Sequence, residues 1–398
     1  MKHNPHRPLR LVFFSFGILE QGGGFENYLL TTARGLADRY KDLSITMVTM
    51  APEIVEKLQH VLSVYFMRVQ KPRAIYRESR ESVLKKLGGI PYRQAASLKD
   101  LALLLRDCDV IYSKNEVLEL GVLNRIGLHK LPPVMLGVHT PIFYPNAPSL
   151  SAHLHNFLYT GPLYRWSIRR IRAIEVNNSD DLLLVRRKLR FENVKLVRQA
   201  FEIPALSAKW PAGGKLHVLF VGRLTEAKGI DLLVAVIETL ERQHPGSFVV
   251  KIAGSGDEAF VRAVRRLAQR VPAVEYLGHV ENSKVAALYD WADAAVITSN
   301  YETLNKVAIE AAIAGKIAVC TDIPGPREII RDGITGFLLP REPQAFASRL
   351  AELARLKHTD PKALKAIGRA AHKHVKQTFD ATAVYRELHA DILTLAGR

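Results

Sequence analysis

The chain has 398 residues, 48% of them hydrophobic and 24% charged, and a formal net charge of +17 at pH 7. This length favours two or three domains, and the composition is typical of a globular protein, which excludes an intrinsically disordered chain. The positive charge predicts an acidic partner: nucleic acid, an anionic membrane surface or a phosphorylated ligand.

The charge is unevenly distributed along the chain. Residues 1–205 carry a net +12 and residues 206–398 a net +5, so we expect the acidic partner to meet the N-terminal half. No apolar run reaches the ~18 residues of a membrane-spanning helix. The nearest, Leu11–Leu19, has nine residues and no cleavage pattern after it, which predicts a buried strand and no signal peptide. Cys108 and Cys320 lack metal or disulfide spacing, so we expect a reducing, cytoplasmic location.

The first half alternates β-rich runs with amphipathic segments, the pattern of a parallel sheet with crossover helices. The predicted strands are Leu9–Phe16, Ser44–Met50, Val61–Phe66, Val110–Ser113, Val134–His139 and Ala173–Asn178. Helices predicted between them include Phe25–Tyr40 and Ala95–Asp107. The stretch Ala200–Gly214 contains two prolines and two glycines and breaks the periodicity, so we interpret it as an interdomain linker.

The second half repeats this pattern. The predicted strands are His217–Val221, Phe248–Ala253, Val274–Leu277, Ala294–Thr298, Ile317–Thr321 and Gly336–Leu339. The predicted helices are Gly229–His244, Asp257–Arg270, Ser283–Trp291, Lys306–Ala314 and Gly325–Arg331, and the pattern is helical after Arg341. Two doubly wound halves predict a cleft between them, at the carboxyl ends of the strands.

Two cations follow the first strand of the second half, in "VGRLTEAKGID". Arg223 and Lys228 lie between that strand and a helix, where backbone N–H groups and the helix dipole add to their charge. This arrangement suits a diphosphate, and an ordinary basic loop is the competing interpretation. The next loop contains Gly254 and Gly256, but a lone G-x-G is more typical of a tight turn than of a phosphate site.

The segment "SNYETLNKVAIEAAIAG" carries two carboxylates, Glu302 and Glu310. Glu302 should lie in the loop at the end of a strand, and Glu310 inside the helix that follows. The competing interpretation makes Glu302 an acid that favours the helix start and Glu310 a surface residue. However, Glu310 stands in an otherwise almost wholly apolar run, where a charge is usually paired or bound to a ligand. A functional role is therefore favoured.

These motifs together with "TDIPGPREIIRDGITGFLLP", in this order, resemble the C-terminal domain of family 4 glycosyltransferases, which are retaining enzymes of the GT-B architecture. The N-terminal "GGGFENYLLTTARGLADRY" is similar to the family's glycine-rich loop and first helix, and "VHTP" to its histidine-bearing strand end. The likeness is strong over residues 216–340. The chain reads Thr303-Leu304-Asn305 where the family often has Gly-Phe-Gly, and "RQAFEI" where it usually has Pro-Asn-Gly-Val at the linker entry.

The resemblance implies roles for the residues of the second half. Arg223 and Lys228 would hold the pyrophosphate of a nucleotide-sugar donor and stabilise the leaving diphosphate. Glu302 would contact the hydroxyls of the transferred sugar, with the backbone amides of 303–305 helping to bind it. Glu310 would accept hydrogen bonds from the ribose.

In the first half, the resemblance implies that Gly23 and Gly24 let the backbone approach the phosphates. It also implies that His139 reaches the sugar or supports an oxocarbenium-like transition state. We expect no cofactor and no metal, because family members use these cations in place of one. Asp107 and Asp109 form a D-x-D, the metal signature of a different glycosyltransferase architecture, but they precede a strand at its N-terminal edge, away from the expected cleft.

The basic first half has three dense positive stretches, one of which interleaves cations with aromatic and apolar residues. They are Arg68–Lys86, Tyr164–Arg172 and Arg186–Arg190. Tyr164, Trp166 and Ile168 among the arginines suit docking on anionic lipid headgroups, and solvated helix faces are the competing interpretation. We expect no nucleic-acid partner, because no RNA- or DNA-binding motif is present.

The sequence therefore predicts an α/β protein of GT-B architecture with two Rossmann-like domains. The boundaries are 1–205 for the acceptor domain and 206–378 for the donor domain, with a helix at 379–398 that packs back on the first. The predicted activity is retaining, metal-independent transfer of a hexose-type sugar to a glycan or lipid-linked saccharide, as in polysaccharide or glycolipid synthesis, with a peripheral position at the membrane. Two alternatives stay open: a nucleotide-sugar epimerase of the same fold, and a non-catalytic nucleotide-sugar-binding subunit.

Overall fold

The computed structural model describes residues 7–17, 19, 24–57, 79–144 and 150–398. The chain divides into two compact units. The N-terminal unit comprises Met1–Ala200 together with Ala381–Arg398, and the C-terminal unit comprises Phe201–Asp380. The boundaries predicted from the sequence lie after residues 205 and 378.

The N-terminal unit contains a parallel sheet of seven strands in the order β3-β2-β1-β4-β5-β6-β7. Its strands are β1 (Leu9–Ser15), β2 (Leu43–Met50), β3 (Tyr92–Ala95), β4 (Val110–Lys114), β5 (Val134–Val138), β6 (Ala173–Val176) and β7 (Val194–Leu196). The helices of this part of the chain are α1 (Gly24–Arg39), α2 (Arg80–Leu87), α3 (Leu98–Arg106), α4 (Val117–Ile126), α5 (Leu150–Thr160), α6 (Pro162–Ile168) and α7 (Ser179–Leu189), and residues 52–57 are also helical.

The C-terminal unit repeats the design with a parallel sheet of six strands in the order β10-β9-β8-β11-β12-β13. Its strands are β8 (Leu216–Val221), β9 (Phe248–Ala253), β10 (Val274–Gly278), β11 (Ala294–Ile297), β12 (Ile317–Thr321) and β13 (Gly336–Leu339). Its helices are α8 (Ile230–Gln243), α9 (Glu258–Arg270), α10 (Asn282–Trp291), α11 (Lys306–Ile313), α12 (Pro324–Arg327), α13 (Pro343–Thr359) and α14 (Pro361–Phe379).

Each sheet is covered by helices on both faces, so each unit has two apolar cores. In the N-terminal sheet Phe14 points into one core and Phe13 into the other, and both side chains are fully buried. Val218 and Leu219 are divided in the same way in the C-terminal sheet. Parallel strands that are buried on both faces read as continuous apolar runs, which is why the sequence predicts most of them.

The last helix of the chain, α15 (Ala381–Leu395), belongs to the N-terminal unit. Its inner face joins the core beside α1, where the Tyr385 hydroxyl donates a hydrogen bond to the Thr31 carbonyl oxygen at 3.1 Å. The His389 ring stacks on Tyr40 with the ring centroids 3.9 Å apart. These contacts bind the C-terminal end of the chain to the first helix.

The structure corrects three details of the sequence analysis. The helix predicted from Ala95 begins at Leu98, because Ala95 ends β3 and the Ser97 side chain caps the helix by accepting from the Asp100 backbone N–H. Tyr164 and Ile168 are 4% and 1% exposed, so they pack in the core and cannot contact lipid headgroups. The edge strands β3 and β7 were not predicted.

Two other predictions concern segments that lie wholly or largely outside the described residues. The predicted strand Val61–Phe66 and much of the basic stretch Arg68–Lys86 lie outside them. Across the ranges that are described, no helix combines the length and hydropathy needed to cross a membrane.

Candidate functional site

The candidate site of the C-terminal unit lies where the order of its strands reverses. β8 and β11 are parallel neighbours, with Ala294 paired to Val218, and the chain winds outward from them in opposite directions. Their carboxyl ends meet at one edge of the sheet, and ligands of open α/β sheets bind at such switch points. The loop that carries Arg223 and Lys228 follows β8, and the loop that carries Glu302 follows β11.

Three hydrogen bonds hold these two loops together. The Thr298 hydroxyl donates to the Lys228 carbonyl oxygen at 3.0 Å. The backbone N–H of Asn300 donates to the Ala227 carbonyl oxygen at 2.9 Å, and its side-chain amide donates to the Glu226 carbonyl oxygen at 2.6 Å. The loops therefore form one structure, and a shift in either would move both the cations and the carboxylate.

Glycines make this close approach possible at two positions. Gly229 has φ 63°, and a Cβ atom there would lie 1.9 Å from the Thr298 carbonyl oxygen. Gly325 donates its backbone N–H to the Glu302 carbonyl oxygen at 3.0 Å, and a Cβ atom there would lie 2.9 Å from that of Glu302. A larger residue at either position would push the loops apart.

The predicted charged residues at this edge are two cations and one carboxylate, Arg223, Lys228 and Glu302. Lys228 Nζ donates to Glu302 Oε1 at 2.5 Å, and the same oxygen is 2.9 Å from the Ser299 hydroxyl. The Lys228 and Glu302 side chains are 26% and 14% exposed, so the pair is accessible without being fully solvated. The Arg223 side chain is exposed and forms no hydrogen bond or ion pair with any residue that the structure describes. An anion could therefore bind to it without displacing a partner.

The residues that follow Glu302 begin helix α11. Asn305 is 2% exposed, and its side chain caps the helix by accepting from the Ala308 backbone N–H at 2.9 Å. Its side-chain oxygen is therefore committed to the cap. Glu302 stands in the loop before the helix, as predicted, and does not share a helical face with Glu310.

Glu310 lies in the middle of α11 and has a defined partner. The Tyr289 hydroxyl donates to Glu310 Oε2 at 3.0 Å. Burial raises the pKa of Glu310, while this hydrogen bond and the charge of Lys306 oppose the rise. Glu310 Oε1 has no hydrogen-bond partner within the described residues, so one carboxylate oxygen could accept from a ligand.

His139 follows β5 in the N-terminal unit, and both of its ring nitrogens are engaged. Nε2 is 3.1 Å from the Tyr112 hydroxyl, and Nδ1 is 3.0 Å from the side-chain nitrogen of Asn177, which follows the neighbouring strand β6. The Tyr28 ring lies against the imidazole with the centroids 4.0 Å apart. The ring is therefore fixed in orientation, and it can bond a substrate through nitrogen only if Tyr112 or Asn177 gives way.

A buried carboxyl group lies behind this histidine. Glu175, in β6, is fully buried, and its Oε1 accepts from the Tyr28 hydroxyl at 2.8 Å. Burial raises the pKa of Glu175 to about 7, although the Tyr28 and Tyr112 hydroxyls partly offset the rise. Burial and the nearby Glu175 also raise the pKa of Tyr112. The histidine thus contacts two neutral phenols, and these in turn contact a carboxyl group whose pKa is raised towards neutral pH.

The remaining predicted residues are placed as follows. Gly24 is the first residue of α1, and Gly23 lies outside the described residues. Asp109 of the D-x-D pairs with Arg7 at 2.7 Å, and Asp107 pairs with Arg10. In the part of the chain that the structure describes, no three His, Cys, Asp or Glu side chains cluster as metal ligands.

Sequence reasoning missed the partners of the predicted residues. Ser299 and Tyr289 contact Glu302 and Glu310, but nothing in a serine after a strand or a tyrosine in an amphipathic helix marks them. Glu175 could have been found, because it interrupts the apolar strand "AIEV" as Glu310 interrupts its helix.

Comparison with known proteins relates the C-terminal unit to a known family. Residues 215–355 match the family model described as Glycosyl transferases group 1. Over these residues the C-terminal unit is similar to the group 1 glycosyltransferases. The resemblance predicted from its motifs is confirmed at the level of the family.

One curated relative supports the resemblance to this family, and two solved structures support the fold. Glycogen synthase of Mycobacterium tuberculosis is 32% identical over 229 residues, which is 53% of this chain and 54% of that protein. The chain thus spans about half the length of this relative. Anabaena HepE in complex with UDP and glucose superposes with a TM-score of 0.69 at 17% identity, over 97% of this chain and 100% of that chain. A glycosyltransferase from Rickettsia africae superposes with a TM-score of 0.71 at 14% identity, over 98% and 99%. The predicted fold class, two Rossmann-like domains of the GT-B type, is confirmed.

Proposed function

We propose that this protein is a retaining glycosyltransferase that moves a hexose-type sugar from a nucleoside diphosphate donor to a glycan or lipid-linked saccharide. The observation that carries the proposal is the placement of the Lys228–Glu302 pair and of Arg223, which has no ion-pair partner among the described residues, in the loops at the switch point of a sheet that matches the group 1 glycosyltransferase model. HepE binds UDP and glucose on a fold of the same type, which supports a nucleotide-sugar ligand. Glycogen synthase, by its name, makes a polysaccharide, which supports a saccharide acceptor.

The cations would bind the diphosphate of the donor. Arg223 offers a planar guanidinium that matches two phosphate oxygens, and Lys228 offers a point charge. As the bond to the sugar breaks, negative charge grows on the diphosphate, and fixed cations stabilise that state more than the bound donor. This is the work that a metal ion performs in other transferases, so we propose that the reaction needs no metal and no cofactor.

Glu302 would connect the phosphate site to the sugar. Its Oε1 already accepts from Lys228 and Ser299, which fixes the carboxylate in the free protein. When a diphosphate draws on the charge of Lys228, the carboxylate gains capacity to accept from sugar hydroxyls. Glu310, whose Oε2 is held by Tyr289, would accept from the ribose through Oε1.

The chemical step would proceed through an oxocarbenium-like state on the sugar. The carbon–oxygen bond to the diphosphate breaks, the acceptor oxygen bonds to the same face of the anomeric carbon, and the leaving phosphate takes the acceptor's proton. Such a step requires placement of the two substrates and stabilisation of the diphosphate more than a protein base. His139 would lie beside the sugar as an oriented ring, held by Tyr112 and Asn177.

Incubation with a panel of UDP-, GDP- and ADP-sugars, with and without oligosaccharide or lipid-linked acceptors, tests the proposal. Release of the nucleoside diphosphate that depends on an acceptor supports transfer, and the proton NMR coupling of the new anomeric centre reports whether configuration is retained. Undiminished activity in EDTA supports the absence of a metal. A new sugar nucleotide would instead show an epimerase, and binding without turnover would show a non-catalytic subunit.

A further inference from the structure

The helical hairpin α5–α6 of the N-terminal unit has an outer face that is unusually apolar. Leu150, Leu154 and Phe157 are 80%, 41% and 70% exposed, and their spacing places them on one side of α5. Leu163 and Trp166, one turn apart on α6, are 73% and 54% exposed. Five of the eleven large apolar side chains that are exposed among the described residues thus lie within 17 consecutive residues.

The inner face of the same hairpin is anchored in the core. Tyr159 and Tyr164 are 5% and 4% exposed, and both hydroxyls are bonded to neighbouring residues: Tyr159 donates to Glu116 and Tyr164 to Asn115. The hairpin is therefore held firmly by one side. Its apolar outer face is a fixed surface. A cluster of exposed apolar side chains calls for an explanation, whereas an exposed leucine that stands alone does not.

The charge around the hairpin is of one sign. Residues 120–174 contain no aspartate and no glutamate. Arg169, Arg170 and Arg172 at the end of α6 are exposed, and none forms an ion pair with a described residue. Lys188, from α7, lies over the Phe143 ring at 3.9 Å from the centroid, and Arg186 and Arg187 precede it. Unpaired cations beside an apolar face are complementary to a surface that is anionic outside and apolar within.

We propose that the outer face of α5–α6, made by Leu150, Leu154, Phe157, Leu163 and Trp166, is a docking surface for an anionic lipid bilayer. The apolar side chains enter the boundary between headgroups and acyl chains, and the arginines that follow α6 bind lipid phosphates. Leucines favour lipid over nucleic acid, because a base stack accepts aromatic rings and not aliphatic ones. This inference deepens the proposed function and rests on it for the idea that the acceptor is linked to a lipid. Docking itself needs neither donor nor acceptor.

Binding of the full chain to vesicles tests the proposal independently of catalysis. Co-sedimentation is measured with phosphatidylcholine vesicles, with and without phosphatidylglycerol, at low and at physiological salt. We expect binding to the anionic vesicles that weakens as salt rises. The chain has three tryptophans, so the emission of Trp166 is obtained as the difference between wild type and Trp166→Phe, and it should shift to the blue on binding.

Two pairs of variants separate the apolar from the electrostatic contribution. Phe157→Ser with Trp166→Ser should lower the partition coefficient by more than about tenfold, because two large side chains no longer enter the bilayer. Arg169→Gln with Arg170→Gln should lower it by about 30-fold at low salt and only on anionic vesicles. The matched controls are Leu103→Ser, a 59% exposed leucine on α3, and Arg265→Gln with Arg266→Gln on α9, which should leave binding unchanged.

Three outcomes would overturn the proposal. One is the absence of binding to anionic vesicles at low salt while the far-ultraviolet circular dichroism is native. Another is binding that Phe157→Ser with Trp166→Ser leaves unchanged. The third is self-association without lipid that this double variant abolishes, which would assign the face to a second copy of the chain. Vesicle binding without sugar transfer would leave the docking surface in place and refute the proposed function alone.

Discussion

The two units place their candidate functional residues in opposite electrostatic environments. In the C-terminal unit the groups are charged and partly solvated: Arg223 is exposed, and Lys228 and Glu302 form a half-buried ion pair. In the N-terminal unit His139 contacts two buried phenols, Tyr112 and Tyr28, and these neighbour Glu175, whose pKa is raised to about 7 by burial. The difference indicates that the first site is built to bind and stabilise charge, and the second to hold a ring in a fixed position.

The largest effect is expected from the cations. Lys228→Ala should lower kcat/KM by about 10²–10³-fold, because a group that stabilises the charge of the leaving diphosphate is lost. Steady-state kinetics with the donor identified by the panel measures this. Lys284→Ala is the control, since Lys284 is 72% exposed and distant in sequence from these loops. Equal activity of both variants would remove Lys228 from the site.

Substitutions of the two carboxylates should have different kinetic effects. Glu302→Gln should lower kcat by about 10²-fold with little change in donor KM, because it weakens contacts made as the sugar reacts. Glu310→Gln should raise donor KM by about tenfold and leave kcat nearly unchanged, because its contact with the ribose is the same before and during reaction. Equal and mild effects on both would return Glu302 and Glu310 to structural roles.

The two units also differ in how much of their secondary structure could be predicted from the sequence. In the C-terminal unit the bounds of β9, β12 and β13 were predicted without error, because mostly apolar runs between loops carry a strong signal even in a strand of four residues such as β13. In the N-terminal unit β3 and β7 were missed, since they are short, partly exposed and mix polar with apolar side chains.

The residues of the candidate site also differ in how well the sequence predicts them. Arg223, Lys228, Glu302 and Glu310 stand in motifs and could be named from the sequence. Several of the contacts around the site come from distant segments: Tyr289 reaches Glu310 across 21 residues, and Tyr28, which lies against His139, reaches Glu175 across 147. Such contacts depend on the packing of helices over the sheet, which no local pattern specifies.

A smaller effect is expected from the group that orients His139. Tyr112→Phe should lower kcat about three- to tenfold, the value of one hydrogen bond of ~1 kcal/mol. The imidazole NMR signals of His139 should shift at the same time, which a purely structural change elsewhere would not cause. The control is Tyr92→Phe, whose hydroxyl bonds Thr49 at 3.1 Å in the same unit. An unchanged His139 spectrum would show that Tyr112 does not hold the ring.

The smallest effect on activity, but a clear one on stability, is expected from Glu175. Folding raises its pKa from the ordinary 4.5 to about 7, so the folded chain holds a proton that the unfolded chain releases. Its contribution to the free energy of unfolding is complete below pH 4.5 and is lost as pH rises towards 7. Wild type should lose on the order of 2–3 kcal/mol from this group over that window.

Glu175→Gln should flatten this pH dependence, which denaturant titrations at several pH values measure. Glu281→Gln is the control, because Glu281 is 68% exposed. A pH profile that Glu175→Gln leaves unchanged would show that Glu175 is not protonated in the folded chain near neutral pH.

The binding of a nucleoside diphosphate at the switch point of the C-terminal sheet is tested most directly by calorimetry. UDP, GDP and ADP are titrated into wild type, and the nucleotide that binds is compared with its bare nucleoside and with Arg223→Ala and Lys228→Ala. We expect the diphosphate to bind at least about tenfold more tightly than the nucleoside, with that advantage lost in both variants. Equal affinities for diphosphate and nucleoside, or an advantage that survives in both variants, would contradict the assignment of this site.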